Sequence, residues 1–149
     1  MPGTNDEGRV DSEALNRWLT EVRALLEDAD RLDIGELQIG DVFAHAPSDA
    51  DGTFPTRPVR DVLEAAPNDR LERGFVIGLH NKRGVTSRGL TDGGQQEYDL
   101  AERYDAWAKA VESTHPRTAG ALRSVAESYR EEGRRNDDEV RRYLEGLDR

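Results

Sequence analysis

Residues 73–91, RGFVIGLHNKRGVTSRGLT, decide which fold class this sequence predicts. Apolar side chains occupy every second position from Phe75 to Leu79, an alternation that is typical of a half-buried strand. The NKRG segment that follows can form a tight turn, because its last residue, Gly84, tolerates a positive φ. We therefore predict a small antiparallel β-hairpin over residues 75–88.

Helical periodicity marks most of the remaining chain. Apolar residues recur at i, i+3, i+4 and i+7 spacing from Leu15 to Leu26, with Asp11 or Ser12 as the cap. Residues 46–58 contain three prolines and are expected to form an exposed loop, with a short helix starting at Pro58. Two longer helices follow the hairpin and should pack antiparallel through seven side chains: Leu100, Tyr104, Trp107, Val111, Leu122, Val125 and Tyr129.

Two details of this fold stay open at the level of sequence. Residues 31–45 contain a short alternating segment that fits a strand, but the same segment also fits a helix. Gly133 lies in a polar stretch without a large apolar residue, so the last helix is either continuous or broken there. The predicted fold class is α+β and mainly helical, with four or five helices and one small antiparallel β-hairpin.

The length and composition of the chain limit the number of domains it can form and exclude several classes of function. Residues 1–10 are predicted to be a disordered leader, and residues 11–149 to form a single small domain. The formal net charge of −10 repels nucleic acid and anionic membranes unless a local basic patch offsets it. The absence of cysteine excludes disulfides, thiolate nucleophiles and Cys-based metal sites. Without a signal-peptide core or a span of roughly 18–20 apolar residues, no membrane association is predicted and a cytoplasmic protein is expected.

The charge of the segment 73–91 runs against that of the whole chain. The segment contains no acid, although Asp and Glu make up 31 of the 149 residues. Basic and amide side chains on a hairpin can grip a phosphate group or an acidic partner surface. The alternative is that these cations pair internally with acids of the flanking helices. The predicted partner- or anion-binding residues are Arg73, Asn81, Lys82, Arg83 and Arg88.

The sequence contains little that is typical of a catalytic or metal site. His45, His80 and His115 lie in separate segments, and none has a second histidine at the spacing of a metal-binding pair, so no metal site is predicted. His80 is a weak catalytic candidate, because it adjoins the basic residues and imidazole can act as a general acid or base. Neither a P-loop nor a GxGxxG motif is present, and no cofactor is predicted.

A longer pattern connects the segment 73–91 to the C-terminal helices. The pattern consists of RGFxIGxxNxRGVxxRG at 73–89, followed by Gly93-Gly94, Gln96-Glu97, Leu100-Ala101, Tyr104, Trp107-Ala108, Pro116-Arg117-Thr118 and Tyr129. It resembles a small uncharacterised family of proteins from GC-rich actinobacteria, loosely associated with plasmids and other mobile elements. The resemblance covers residues 73–137, under half of the chain. It implies an accessory protein and names no reaction.

Two hypotheses of function follow. The first is a non-enzymatic accessory or interaction protein that docks a protein partner or a copy of itself through a helical face and the basic hairpin 73–91. The lack of catalytic motifs favours it, as does Tyr98, an aromatic residue off the predicted apolar stripe. The alternative is a nucleic-acid- or phosphate-binding protein, including a nuclease-like enzyme, that uses Lys82, Arg83, Arg88 and His80. The acidic remainder of the chain makes nucleic acid the less favoured partner.

Overall fold

Six α-helices account for the regular structure of the chain in the computed structural model, which describes residues 1–149. They are α1 (Ser12–Asp28), α2 (Leu32–Ala44), α3 (Arg57–Ala65), α4 (Asp69–Arg83), α5 (Gln95–Val111) and α6 (Pro116–Leu147). The only strand-like pairing is an isolated antiparallel bridge between Thr4 and Val10. The predicted α+β fold with four or five helices and a β-hairpin is therefore wrong, and the protein is all-helical.

The segment predicted as the first strand of the hairpin belongs to helix α4, and the spacing of its residues explains why. Its buried positions stand at i, i+3, i+4, i+7 and i+8, which is the period of one helix face: Leu71, Gly74, Phe75, Gly78 and Leu79. Ile77, which the alternating pattern assigned to the same face as Phe75 and Leu79, is 44% exposed. Gly84 does adopt a positive φ of 69°, but it ends a helix instead of turning a hairpin.

Helices α2 and α4 lie side by side at short range and run in the same direction. A Cβ atom on Gly74 would lie 2.0 Å from the backbone oxygen of Leu37, so only glycine permits this approach. Farther along both helices, Gly78 lies against the backbone of Asp41 in the same way. Because residues 32–44 form helix α2, the strand alternative for residues 31–45 is wrong.

Helices α5 and α6 pack antiparallel, as predicted. Near the start of α5, the Tyr98 hydroxyl donates a hydrogen bond to Asp137 of α6 at 2.7 Å. Near the middle of α5, Asp105 forms an ion pair with Arg130, which lies earlier in α6 than Asp137. Helix α6 continues through Gly133 without a break. A Cβ atom there would lie 2.7 Å from the ring of Tyr98, so this glycine makes room for an aromatic neighbour. The seven side chains predicted for this contact all lie in the core or pack against it.

The loop between α2 and α3 is less exposed than its prolines and polar residues predict. Phe54 is 3% exposed, and its ring centroid lies 4.9 Å from that of Trp107. The indole N–H of Trp107 donates to the backbone oxygen of Gly52 at 3.2 Å. The carboxylate of Asp49 accepts a hydrogen bond from Arg60 at 2.7 Å and fixes the other side of the loop. This loop therefore closes one end of the core.

The N-terminal residues lie against α1. Val10 is 8% exposed and joins the core, and the side chain of Asp11 caps the helix by accepting from the backbone N–H of Ala14 at 2.8 Å. The disorder predicted for residues 1–10 stays a prediction, which amide exchange would test. None of the six helices combines the length and the hydropathy that crossing a membrane requires.

Candidate functional site

The predicted basic residues meet an acid of α5 at the end of α4. The guanidinium of Arg83 donates to Oε1 of Glu97 at 2.7 Å, and a guanidinium nitrogen of Arg88 lies 3.3 Å from the same oxygen. Glu132 of α6 accepts a longer hydrogen bond from Arg83, at 3.4 Å. The side chain of Glu97 is 1% exposed and that of Arg83 12%. These ion pairs form a buried charge cluster where α4, α5 and α6 meet.

Electrostatics within the charge cluster keep Glu97 ionised. Burial raises the pKa of the Glu97 carboxyl, but the hydrogen bond from Arg83 and the positive charges of Arg83 and Arg88 outweigh burial and hold that pKa below its ordinary value. Two atoms of the cluster, Oε2 of Glu97 and Nε of Arg83, make no hydrogen bond with the protein. The alternative that these cations pair with acids of flanking helices therefore describes Arg83 and Arg88.

His80 lies next to this charge cluster but is not held in a catalytic geometry. Its ring centroid lies 5.2 Å from that of Tyr129, and the guanidinium of Arg83 lies 5.3 Å from the centroid of the same tyrosine ring. Burial lowers the pKa of His80, and the nearby carboxylate of Glu132 opposes that shift only in part. The His80 ring makes no hydrogen bond with another side chain, so nothing orients it as a general base.

The other predicted residues do not join this cluster. Lys82 is exposed, and its ammonium group lies 5.0 Å from the centroid of the Phe54 ring. Asn81 is exposed and makes no side-chain hydrogen bond. Arg73 lines a separate groove between α4 and α6, with a volume of about 680 Å³ and Ile77 in its wall. The structure therefore brings two of the five predicted residues together and leaves the other three apart.

A hydroxyl–imidazole–carboxylate series lies elsewhere in the molecule. His115 Nδ1 lies 2.7 Å from the Thr114 hydroxyl, and His115 Nε2 lies 2.7 Å from a carboxylate oxygen of Asp61. Thr114 and His115 line none of the larger cavities, although Asp61 does. This series links α3 to the first turn of α6, where the backbone oxygen of His115 accepts from Ala119. No group of three or more His, Cys, Asp or Glu side chains is arranged to hold a metal ion.

The charge cluster holds in place the loop of residues 84–94, which connects α4 to α5. Arg88 ties the middle of the loop to Glu97, and the side-chain amide of Gln96 donates to the backbone oxygen of Ser87 at 3.2 Å. At the end of the loop, the backbone N–H of Gly94 donates to Asp137 at 2.8 Å. The fastened loop displays two apolar side chains to solvent: Val85, fully exposed, and Leu90, 75% exposed.

The last turns of α6 display a second set of exposed apolar side chains. Helix α5 starts at Gln95 and runs antiparallel to α6, so it covers α6 only as far as Asp137. Beyond that point apolar residues continue at i, i+3, i+4 and i+7, from Val140 to Leu147. With the loop residues they form what we call the apolar tail surface, which consists of the half-buried Val140 and the exposed Val85, Leu90, Tyr143, Leu144 and Leu147.

The two parts of the apolar tail surface adjoin one another. A cleft of about 280 Å³ separates the loop from α6 and is lined by Leu90 on one side and by Val140 and Tyr143 on the other. Tyr143, Leu144 and Leu147 are 43%, 46% and 65% exposed. Contiguous exposed apolar side chains are a feature that soluble proteins often use to bind other molecules.

Neither the centre of the charge cluster nor the apolar tail surface is predicted from the sequence. Because the predicted hairpin over residues 75–88 places Arg83 in its turn, nothing in the sequence brings Arg83 beside Glu97. The apolar spacing from Val140 to Leu147 was visible in the sequence, but nothing there showed that α5 would be too short to cover it. No protein-family model, curated protein or solved structure matches this chain.

Proposed function

We propose that this protein is a non-enzymatic interaction protein that docks a protein partner through the apolar tail surface. The observation that carries the proposal is the apolar stripe of α6 that starts at the half-buried Val140 and is exposed at Tyr143, Leu144 and Leu147. No other helix covers this part of α6. Such a stripe normally faces a core, and exposing it to water costs roughly 25 cal/mol for each Å² of apolar area. A partner that covers the stripe recovers that free energy.

The charge cluster has a supporting role in this proposal. Because Arg88 and Arg83 both bind Glu97, they hold loop 84–94 against α5 and α6. The loop then presents Leu90 next to Val140 and Tyr143 of α6, and Val85 is fully exposed in the same loop. The basic residues thus position an apolar surface for binding, and their own charges are largely neutralised within the protein.

The same ion pairs disfavour the alternative of a nucleic-acid- or phosphate-binding protein. That alternative needs Lys82, Arg83 and Arg88 as free cations, but two of the three are already paired with a buried carboxylate. Lys82 alone adds one exposed positive charge to a chain of net charge −10. Counterion release from a single contact supplies little affinity for nucleic acid. The predicted cytoplasmic location remains part of the proposal, since a chain without cysteine does not depend on an oxidising compartment.

Site-specific photo-cross-linking in the native host tests this proposal. A photoreactive phenylalanine analogue is placed at Leu144, in the apolar tail surface, and in a matched control at Leu25, an apolar residue of α1 that is 68% exposed. We expect protein adducts from position 144 and few or none from position 25. Adducts from position 25 alone, or nucleic acid as the main adduct from position 144, would contradict the proposed function.

A further inference from the structure

The charge around the apolar tail surface differs from that of the rest of the protein. Residues 134–149 contain five arginines and five acids, so their formal charge is zero. Loop 84–94 contains one of each, Arg88 and Asp92, and is also neutral. The whole net charge of −10 therefore resides outside these two segments. Two copies of this acidic chain would repel one another through most faces, but not through this one.

The spacing of side chains on α6 suits an antiparallel contact with a second α6. Val140, Tyr143 and Leu147 follow the alternating three- and four-residue steps of a coiled-coil seam, with Leu144 beside them. A twofold axis between residues 143 and 144 would pack Val140 against Leu147 of the second copy. The same axis would pack Tyr143 against Leu144 of the second copy. The stretch is therefore complementary to itself in the reversed direction.

The charged residues beside that seam agree with the same arrangement. At 100° per residue, Arg141 and Asp148 lie on the same flank of α6, about 20° apart around its axis. Reversal about the twofold axis brings Arg141 of one copy within about one helical turn of Asp148 of the other. The opposite flank places Glu139 beside Gly146 of the second copy, so no like charges meet there.

We propose that a second copy of this chain occupies the apolar tail surface, with the two α6 ends packed antiparallel. This inference rests on the proposed function and names the partner. Leu90 of each copy borders the seam and extends the area that the two copies bury. Because the contact is isologous, it closes after two copies and yields a dimer.

Sedimentation equilibrium of the full chain over a range of concentrations tests the dimer. We expect a reversible species of twice the chain mass in the wild type. Leu144→Glu should weaken dimerisation at least about 30-fold, the loss typical of a central interface residue. The matched control Leu25→Glu should leave the dimer unchanged. Circular dichroism would verify that both variants keep the helix content of the wild type.

A charge-reversal cycle tests the antiparallel register without altering an apolar residue. Arg141→Asp alone and Asp148→Arg alone should each weaken dimerisation roughly fivefold, the upper range for exposed ion pairs. The double variant should recover most of the wild-type affinity, because the pair forms with its signs exchanged. A dimer that Leu144→Glu leaves intact, or a double variant as weak as either single one, would overturn the inference.

The outcomes separate this inference from the proposed function. A monomer at every concentration, together with a cross-link from position 144 to a different host protein, would refute the second copy and leave the interaction function standing. A monomer that yields no protein adduct from position 144 would refute both. A cross-linked adduct of twice the chain mass would support both.

Discussion

The charge cluster allows a quantitative prediction for Glu97→Ala. The side chain of Arg83 is only 12% exposed, and the substitution removes its 2.7 Å hydrogen bond to Glu97, leaving the longer 3.4 Å contact with Glu132. Removing one partner of a buried ion pair usually costs about 3–5 kcal/mol, because an uncompensated charge stays buried. Since Glu132 and the partial exposure of Arg88 compensate in part, we expect a loss of about 3 kcal/mol.

Urea denaturation at neutral pH measures this loss against two controls. Glu102→Ala removes an exposed acid of the same helix that makes no ion pair, and should change the unfolding free energy by less than about 0.5 kcal/mol. The double variant Arg83→Met/Glu97→Leu removes both charges and should recover most of the lost stability. A loss below about 1 kcal/mol for Glu97→Ala would show that the ion pair is solvated and does not hold the loop.

The pH dependence of the same comparison has a definite sign. Because the pKa of Glu97 is lower in the folded protein than its ordinary value of 4.5, the unfolded chain binds the proton more readily. The stabilisation by Glu97 is therefore fully present above the ordinary pKa and is lost as the pH falls through the folded-state pKa. The difference between wild type and Glu97→Ala should be constant near neutral pH and shrink below about pH 4.5.

Three further predictions concern the fold and its titratable groups. Gly74→Ala should lower the unfolding free energy by about 3 kcal/mol or more in urea denaturation, because the added Cβ overlaps backbone atoms of α2. Gly120→Ala, whose Cβ meets nothing within 4 Å, should raise stability by about 0.5–1 kcal/mol, and equal effects at the two positions would contradict the close helix contact. Trp107→Ala should cost about 3 kcal/mol by thermal unfolding, because the indole packs on the core and donates to Gly52; a loss under about 1 kcal/mol would show that it is exposed. Burial lowers the pKa of His80, so an NMR titration should give a midpoint below 6.5, and stability should fall as the pH drops below that value; a midpoint above 6.5 would contradict the buried ring.

The sequence predicts the C-terminal half of the fold well, because the signals there are long. Helices α5 and α6 each extend over several turns, and the stripe from Leu100 to Tyr129 repeats the helical period often enough to exclude a strand. Their antiparallel packing follows from the short connection between them. The continuity of α6 through Gly133 did not follow from the sequence, because the ring of Tyr98 that fills the space beside it comes from another helix.

The error at 75–88 has a specific physical cause. Three alternating apolar residues can belong to a strand or to part of a helical pattern. Only the residues that precede and follow them distinguish a strand from a helix. Leu71 and Gly74 supply that context, but glycine is a poor helix former and argues locally for a turn. Glycine is needed here for a tertiary contact, because Gly74 and Gly78 let α2 approach the backbone of α4. The sequence does not predict this contact, since it leaves residues 31–45 open between strand and helix.

Part of the candidate site follows from the sequence, and the rest does not. The absence of acids from 73–91 marks its basic residues as a group, and of these only Arg83 and Arg88 pair with the buried acid Glu97. Glu97 follows Arg83 by fourteen residues in the sequence. The predicted hairpin would not have brought these two side chains into contact. The apolar tail surface depends on where α5 begins relative to α6, which is a property of the packed structure.

Fluorine NMR of the full chain labelled with 3-fluorotyrosine tests most directly whether the apolar tail surface is a binding surface. Tyr143, which is 43% exposed, reports on that surface, whereas Tyr104, which is 8% exposed, reports on the core. Tyr143→Phe assigns the first signal. In lysate of the native host, or as the concentration of the pure chain rises, the signal of Tyr143 should shift or broaden while that of Tyr104 keeps its position. A Tyr143 signal that stays sharp and unshifted under both conditions would contradict the proposed function.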